Sequence, residues 1–333
     1  MNNPMPYMEN FRELLERFGE HFSVSVPEGC LQGLQTPADA GKTAASGIML
    51  FRAPGRVNLI GEHTDYNNCS VLPAAVDREI LAAVMPREDD LIRVADFHPE
   101  FGEIAFRLSD YIPAGKGHAG EVLHRGLEPY AGGHWGNYFK AAVNGLLGTE
   151  RSFTRGFSML FRSSIPQAAG MSSSSALVVL GSLVLMEVNG YRVSSRGERL
   201  ELAEQCRQSE WYNGTMGGGM DQAAILLGEE RQATRIDFNP LRVQMVPFPA
   251  GYSIVITHST VEAPKTRHAM DLYNRRSVEC RIAAAAAGRR LSSEYGIAGI
   301  EFIGDITPEH TGVAEDDLER SMAGLFHQDA HTL

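Results

Sequence analysis

One short stretch of the chain concentrates residue types that bind polar ligands. Residues 52–67 read RAPGRVNLIGEHTDYN and place Arg56, Glu62, His63 and Asp65 within ten residues. Carboxylates accept hydrogen bonds from hydroxyl groups, and a histidine ring either donates or accepts them. The stretch therefore predicts a binding loop for a ligand with several hydroxyl groups. A charged, solvated turn is the alternative, and this stretch alone leaves it open.

The binding loop needs a rigid element to hold it. Val57, Leu59 and Ile60 lie between the arginine and the acidic cluster, and they predict the end of a strand. Gly61 allows a sharp turn out of that strand. Binding residues often lie on loops that a rigid scaffold positions in this way.

A second stretch predicts an anion site. Residues 166–176 read PQAAGMSSSSA and run into an apolar segment that predicts a buried helix over residues 174–188. Small residues let the backbone approach an anion, and the N–H groups at a helix start carry partial positive charge. The chain contains no GxxxxGK[ST] sequence, so this is not a Walker A loop. Plain capping of the helix by serine is the alternative.

A third stretch joins glycines to an acid. Residues 210–222 read EWYNGTMGGGMDQ, so Asp221 follows closely on Gly217–Gly219. Glycines let the backbone approach a ligand, and the carboxylate is then available for acid–base chemistry. A flexible loop followed by a capping aspartate is the alternative.

Taken together and in this order, the three stretches resemble the galactokinases of the GHMP kinase family. Residues 52–67 resemble the galactokinase signature, and residues 166–176 resemble the phosphate motif PxGGGLSSSA. GGGMDQ at residues 217–222 resembles the segment that carries the base, and the serine run is most similar to the N-acetylgalactosamine kinase branch. Ala168 and Ala169 replace two usual glycines, which requires that neither residue needs a positive φ.

The resemblance implies a role for each candidate residue. Asp221 is expected to be the general base, and Arg56 is expected to lie by the transferred phosphoryl group. The implied sugar-binding residues are Arg56, Glu62, His63, Asp65, Gly218, Asp221 and Tyr273. The implied ATP-binding residues are Gly170, Ser172, Ser173, Ser174, Trp135 and Lys265, and the implied Mg²⁺ ligands are Ser173 and Glu210. A core position is the alternative for the aromatic Trp135 and Tyr273.

The implied chemistry assigns unequal weight to these groups. Phosphoryl transfer depends mainly on positioning and charge stabilisation. A carboxylate beside an arginine is a weak base, so we expect a late proton transfer. More of the barrier reduction is therefore expected from Arg56 and Mg²⁺ than from Asp221.

The hydrophobic pattern predicts a mixed order of elements. Strand-like runs fall at residues 48–60, 80–86, 91–96, 156–166, 232–238 and 252–257. Helix patterns fall at residues 7–22, 135–148, 174–188, 195–212 and 267–290, and residues 26–46 predict a loop. This irregular order favours α+β over a repeated βαβ unit.

The resemblance also implies the two-domain α+β fold of the GHMP kinases. We expect a ribosomal protein S5 domain 2-like N-terminal domain over residues 1–225 and a partial, ferredoxin-like C-terminal domain over residues 226–333. The similarity runs from about residue 48 to about residue 285, and the third, glycine-rich GHMP motif is not found before Leu333. The C-terminal domain is therefore expected to be incomplete.

The implied reaction is ATP- and Mg²⁺-dependent phosphorylation of galactose, or a close relative, at the anomeric hydroxyl. N-acetylgalactosamine, galacturonate and arabinose stay open as substrates. The alternative of another class is a catalytically inactive, galactokinase-like sugar sensor. The uninterrupted Ser172–Ala176 run favours an enzyme, whereas the missing third motif favours the sensor.

Composition argues against several other classes of function. The chain of 333 residues is 43% hydrophobic and 21% charged, which suits a globular protein with two cores. Its net charge of −11 and the lack of a basic stripe argue against nucleic acid as a partner. The sequence contains no uncharged apolar run of 18 residues, so a membrane span is not expected. Four scattered cysteines without a CxxC pair predict a cytoplasmic protein, which we expect to be a monomer or weak dimer.

Overall fold

The computed structural model describes residues 6–26, 47–111, 126–257, 267–323 and 325. Its strands are β1 (Met49–Ile60), β2 (Leu72–Pro86), β3 (Leu91–Asp96), β4 (Glu103–Arg107), β5 (Phe157–Ser163), β6 (Gln232–Asp237) and β7 (Arg242–Pro247). Its helices are α1 (Pro6–Phe22), α2 (Gly136–Leu147), α3 (Ser173–Val188), α4 (Arg196–Glu210), α5 (Met220–Leu227), α6 (Arg267–Tyr295), α7 (Pro308–Thr311) and α8 (Glu315–Met322). The predicted α+β class is confirmed.

A five-stranded sheet in the order β1-β2-β5-β3-β4 carries the N-terminal half. The β3–β5 pair is parallel, and the other pairs are antiparallel. The register of β1 against β2 shifts between Pro54 and Arg56. Such an irregularity bends a strand and redirects its side chains, which matters because Arg56 is a candidate site residue.

Each face of this sheet is covered by helices. Successive strand residues point to opposite faces, so the neighbours Leu50 and Phe51 enter different cores. Leu50 packs with Leu14 and Phe18 of α1. Phe51 belongs to the larger core, which contains buried residues of α2, α3, α4 and α5. Fully burying one such side chain stabilises the fold by about 1.5–3 kcal/mol.

The helix α3 lies in the middle of the larger core. Val178, Leu180 and Leu185 are completely buried, which explains why this helix is apolar on all sides. Its N-terminus follows the predicted anion-binding stretch directly. The core thus fixes the direction in which the phosphate-loop candidate points.

A hairpin of β6 and β7 forms a separate two-stranded sheet. It attaches to the N-terminal half through hydrogen bonds between Val71 and Ile236, whose donor–acceptor distances are 2.9 and 3.0 Å. The long helix α6 follows later in the chain and buries Ala284, Ala287 and Leu291. The predicted division of the chain at residue 225 stays a prediction.

Most of the predicted elements are present. The strand at residues 91–96 has the expected bounds, and the other elements shift by a few residues or extend, as β2 does toward Leu72. Five short elements escaped sequence reasoning, namely β4, β7, α5, α7 and α8. Most of the predicted loop at residues 26–46 lies outside the described residues.

The strand predicted at residues 252–257 is wrong. Tyr252, Ile254, Val255 and Ile256 are exposed, and no described strand pairs with them. A strand depends on hydrogen bonds to a neighbour, which an apolar sequence alone does not provide. In the part of the chain that the structure describes, no helix is long and apolar enough to cross a membrane.

Candidate active site

Arg56 lies in the first predicted stretch and contacts the other two. Its Nε donates to Oδ1 of Asp221 at 2.7 Å, and its Nη1 donates to the carbonyl oxygen of Gly170 at 2.6 Å. The arginine is only 9% exposed, so its guanidinium is held in one orientation. Its backbone N–H also donates to the Met171 carbonyl at 3.2 Å. The strand β1, the phosphate-loop candidate and α5 therefore meet at one side chain.

Two serines complete the surroundings of Asp221. Ser172 Oγ donates to Oδ2 of Asp221 at 2.5 Å, and Ser175 Oγ lies 3.3 Å from the same oxygen. The carboxylate thus accepts bonds from one cation and two hydroxyl groups. This set of donors fixes the direction of the carboxylate.

The N-cap residue of α3 turns its side chain away from the helix. Ser172 occupies the N-cap position with φ 59° and makes no side-chain capping bond, because its hydroxyl is turned to Asp221. The first N–H groups of a helix lack partners within the helix and carry its positive dipole end. Ser173 and Ser174 begin this helix and are partly exposed. The predicted anion site stays a prediction, and the helix terminus has no cap from the Ser172 side chain.

The alanine at position 168 adopts the left-handed conformation. Its φ is 55°, whereas the prediction required that neither Ala168 nor Ala169 needs a positive φ. Ala168 does not meet that requirement, because the chain takes a positive φ there without a glycine. An L-residue in this conformation costs about 1–2 kcal/mol. Gly170, with φ 71°, adopts it without that cost.

Asp65 holds the start of α5. Its Oδ2 accepts from the backbone N–H groups of Gly218 at 3.1 Å and Met220 at 3.5 Å. A Cβ on Gly218 would lie 2.3 Å from the Asp65 carbonyl carbon and from the Tyr66 nitrogen. Only glycine fits there, so the sugar-loop candidate packs backbone to backbone against the glycine loop.

Two opposing effects act on the pKa of the Asp65 carboxyl. Burial and the nearby charge of Asp221 raise its pKa above the usual value, while its backbone hydrogen bonds, to Met220 and Gly218 among others, act to lower it. The residue is 9% exposed. The two candidate acids of the site therefore repel each other when both are ionised.

Three rings form one wall of the site. His63 Nδ1 lies 2.9 Å from the Tyr66 hydroxyl oxygen, and the His63 ring centroid lies 5.1 Å from that of Tyr273. The Tyr66 and Tyr273 rings meet edge to face at 5.7 Å. His63 is exposed and has φ 60°, so its ring is offered to solvent from a strained backbone.

Tyr273 brings α6 to the acidic groups. Burial first, and then the charges of Asp65, Asp221 and Glu210, raise the pKa of its phenol. The hydroxyl therefore keeps its proton and can donate to a ligand. Next to it on α6, Asn274 donates to the Gly214 carbonyl at 2.5 Å and accepts from the Met216 N–H at 3.1 Å.

Glu62 stands apart from the rest of the sugar-loop candidates. It is exposed and accepts a bond of 2.9 Å from Nδ2 of Asn58. No contact among the described residues joins it to Asp65 or Tyr273. Its exposed position leaves it accessible to a ligand.

Trp135 packs in an aromatic cluster of the core. Its ring lies 5.9 Å from Phe139 and 5.5 Å from Phe161, and its Nε1 donates to the Phe101 carbonyl at 3.0 Å. These contacts support the core alternative and do not test a nucleotide contact. Lys265 lies outside the described residues.

The donors predicted for Mg²⁺ are a hydroxyl and a carboxylate, Ser173 and Glu210. Mg²⁺ in kinase sites takes one or two protein oxygens and keeps waters and phosphate oxygens as its other ligands. The described residues contain no group of three histidine, cysteine or acidic side chains that would form a closed metal site. A hydroxyl and a carboxylate are oxygen donors of the kind that Mg²⁺ prefers.

Sequence reasoning missed Ser175, Tyr66 and Asn274 as parts of the site. The signal for the first two was available, since Ser175 lies in the SSSSA run and Tyr66 in EHTDYN. Their roles depend on which neighbour each hydroxyl selects, and spacing does not give this. Asn274 had no signal beyond its position next to Tyr273.

Comparison with known proteins identifies the same stretches. The galactokinase galactose-binding signature matches residues 41–86, and the GHMP kinases N terminal domain matches residues 137–229. The chain is 35% identical to the galactokinase of Dictyostelium discoideum over 245 residues, which cover 71% of this chain and 45% of that one. It is 33% identical to the galactokinase of Enterococcus faecalis over 267 residues, which cover 79% of this chain and 61% of that one.

A solved structure shows the corresponding likeness in three dimensions. The Lactococcus lactis galactokinase complexed with galactose matches with a TM-score of 0.63 at 26% identity, over 94% of this chain and 70% of that one. The chain spans about half to three fifths of the length of the two curated relatives named above. By its motifs, its fold and these matches, the chain belongs to the galactokinases within the GHMP kinase family.

Proposed function

We propose that this chain transfers a phosphoryl group from ATP to the anomeric hydroxyl of galactose or a close relative. The double contact of Arg56 with Asp221 and Gly170 carries the proposal. A hydroxyl nucleophile at Asp221 and a phosphate at the loop would meet beside a single buried positive charge. Stabilisation of developing charge by such preorganised groups commonly contributes more to catalysis than any other single effect.

Asp221 and Arg56 have separate roles in the proposed reaction. Asp221 orients the anomeric hydroxyl and accepts its proton late in the transfer. Arg56 stabilises negative charge on the transferred phosphoryl group and holds Asp221 in place. Ser172 and Ser175 limit the rotation of the carboxylate, since both hydroxyl groups lie within 3.3 Å of Oδ2.

The sugar is proposed to bind between the sugar loop and α6. Glu62, His63 and Asp65 line one side, and Gly218 and Tyr273 line the other. This set offers carboxylate acceptors together with imidazole and phenol donors, which suits a ligand with many hydroxyl groups. The galactose in the Lactococcus lactis structure supports a galacto-configured sugar.

The nucleotide is proposed to bind at the start of α3. Gly170, Ser172, Ser173 and Ser174 would contact its phosphates, supported by the uncapped helix terminus. Contacts from Trp135 and Lys265 remain predictions of the family resemblance.

Mg²⁺ is proposed to be held by Ser173 and Glu210. When bound, the ion would neutralise charge on the phosphate oxygens.

We also propose a monomer or weak dimer in the cytoplasm, in keeping with the free thiols of Cys69, Cys206 and Cys280.

The test is release of ADP from Mg·ATP with a panel of galactose, N-acetylgalactosamine, galacturonate, arabinose and glucose. Turnover with a galacto-configured sugar that Asp221→Asn strongly reduces would support the proposal and name the substrate. Galactose binding without turnover would support the sensor alternative. A folded chain that neither binds nor phosphorylates any of these sugars would contradict both.

A further inference from the structure

Tyr66 lies directly behind the exposed ring of His63. The tyrosine is 8% exposed, and its hydroxyl oxygen lies 2.9 Å from Nδ1 of His63. Within the part of the chain that the structure describes, this is the hydrogen bond found for the hydroxyl. The imidazole therefore has one nitrogen tied to the protein and the other, Nε2, directed away from that contact.

The phenol of Tyr66 is able to donate in this hydrogen bond. Burial, with smaller effects of Cys280 and Asp65, raises the pKa of the phenol to about 12, so the hydroxyl stays protonated at neutral pH. The nearby Asp65 Oδ2 already accepts from backbone N–H groups. A buried hydroxyl without an acceptor destabilises the fold. His63 Nδ1 is the acceptor that avoids this cost.

We propose that Tyr66 is a positioning residue that fixes His63 in its Nε2–H tautomer and aims that N–H at the sugar. The direction of the N–H follows from the hydrogen bond alone, whereas its use on a sugar rests on the proposed function. A ring nitrogen that accepts a hydrogen bond leaves its partner nitrogen as the donor. His63 then recognises a hydroxyl oxygen as an acceptor and does not act as a base through Nδ1.

The backbone around Tyr66 explains why this aim is stable. His63 holds a left-handed φ of 60°, which a free loop would relax. The Tyr66 nitrogen lies 2.3 Å from the position a Cβ on Gly218 would occupy, so the tyrosine is packed tightly on the glycine loop. Its ring is also edge-on to Tyr273. Because Tyr66 is packed against the glycine loop and against Tyr273, it is a fixed support for the His63 ring.

The first experiment reads the tautomer in the unsubstituted chain. Long-range proton–nitrogen correlation spectra of histidine-labelled protein distinguish a protonated from an unprotonated ring nitrogen, and His63→Gln assigns the signal. We expect Nδ1 to be unprotonated and Nε2 to be protonated. A protonated Nδ1 would overturn the proposal, and this readout requires neither ATP nor activity.

The second experiment removes the hydroxyl alone. Tyr66→Phe should leave a mixture of His63 tautomers and weaken galactose binding by about 3- to 10-fold, as expected for one lost hydrogen bond. With turnover, the KM for the sugar should rise while kcat changes little. Tyr212→Phe is the matched control, since its buried hydroxyl donates to the Leu127 carbonyl at 2.6 Å, away from His63.

The outcomes separate this inference from the proposed function. An unchanged His63 spectrum in Tyr66→Phe, or the same change in Tyr212→Phe, would contradict the positioning role. The expected tautomer with no galactose binding by the unsubstituted chain would leave the positioning of the ring intact and reject the sugar as its target.

Discussion

Similar apolar side chains are buried in the sheet of β1 to β5 but partly exposed in two later described segments, residues 252–257 and α6. Val84 of β2 is completely buried, whereas Val255 is 82% exposed. Leu291 on the inner face of α6 is buried, but Ile282 on the same helix is 63% exposed. Val84 and Val255 are the same residue type, so the difference in their burial comes from the neighbours that each one has.

The candidate site is divided between these two regions. Arg56, Asp221 and Ser172 belong to the well-packed region, where each makes several contacts at once. Tyr273 and Asn274 come from α6, which is packed on one face only. The groups proposed for phosphoryl transfer are thus more rigidly held than the part of the proposed sugar site that α6 supplies.

The largest effect is expected at the rigid part of the site. Arg56→Ala should lower the phosphorylation rate by about 10³-fold, because an arginine at the transferred phosphoryl group contributes on that scale. Asp221→Asn should lower it less, because the residual amide still orients the hydroxyl. Steady-state kcat values for the two variants, with folding checked by circular dichroism, measure the order. A larger loss in Asp221→Asn would assign the greater role to the base.

The next effect concerns the contact that joins the sugar loop to the glycine loop. Gly218→Ala should destabilise the fold by about 2–3 kcal/mol, since a Cβ there meets backbone atoms that cannot give way. Gly217→Ala is the matched control, because its Cβ meets only the Tyr273 hydroxyl at 3.9 Å. Urea unfolding of both variants tests this. Equal losses would show that the two loops are not tightly packed.

The comparison of the two regions can be tested with one substitution made twice. Val84→Ala should cost about 2 kcal/mol of unfolding free energy, through lost burial and a cavity. Val255→Ala should change it by less than about 0.5 kcal/mol, as is usual at exposed sites. Urea unfolding with a constant m-value reports both. A large loss at Val255 would mean that this segment is covered in solution.

A smaller effect, and one of opposite sign, is expected at Asp65. Burial and Asp221 raise its pKa in the folded chain above 3.8, so its contribution to stability is full below that value and is lost as pH rises through the folded pKa. Asp65→Asn should therefore stabilise the chain at neutral pH by about 1 kcal/mol while weakening galactose binding.

The pH dependence supplies the control for this prediction. The advantage of Asp65→Asn should narrow as pH falls toward 3.8, where both side chains are neutral. Thermal unfolding midpoints across that range measure it. An advantage that is constant with pH would mean that charge is not the cause.

Sequence alone predicted four of the five strands of the main sheet, the long helices and the three stretches of the site. Periodicity identifies these because burial of β1 and α3 follows directly from their apolar residues. The strand prediction at residues 252–257 failed since a strand also requires a partner. The contact of Asp65 with the Gly218 N–H lies between residues far apart in the chain, so no local pattern reports it.

Hydroxyl groups were the least predictable part of the site. Ser172 fits a helix cap by its position, yet it donates to Asp221 and leaves the helix terminus open. Ala168 shows the same limit for backbone conformation, since its positive φ is imposed by the surrounding loop. Such choices depend on the three-dimensional neighbours of each group.

The exposed residues 252–257 affect how copies of the protein associate with one another. YSIVIT carries no charge, and its backbone groups are not paired with any described strand, which makes it a template for pairing between molecules. The net charge of −11 opposes such association at neutral pH. This repulsion fades near the isoelectric point of about 5.5. Light scattering should therefore detect clustering in mildly acidic buffer, and Val255→Lys should delay it.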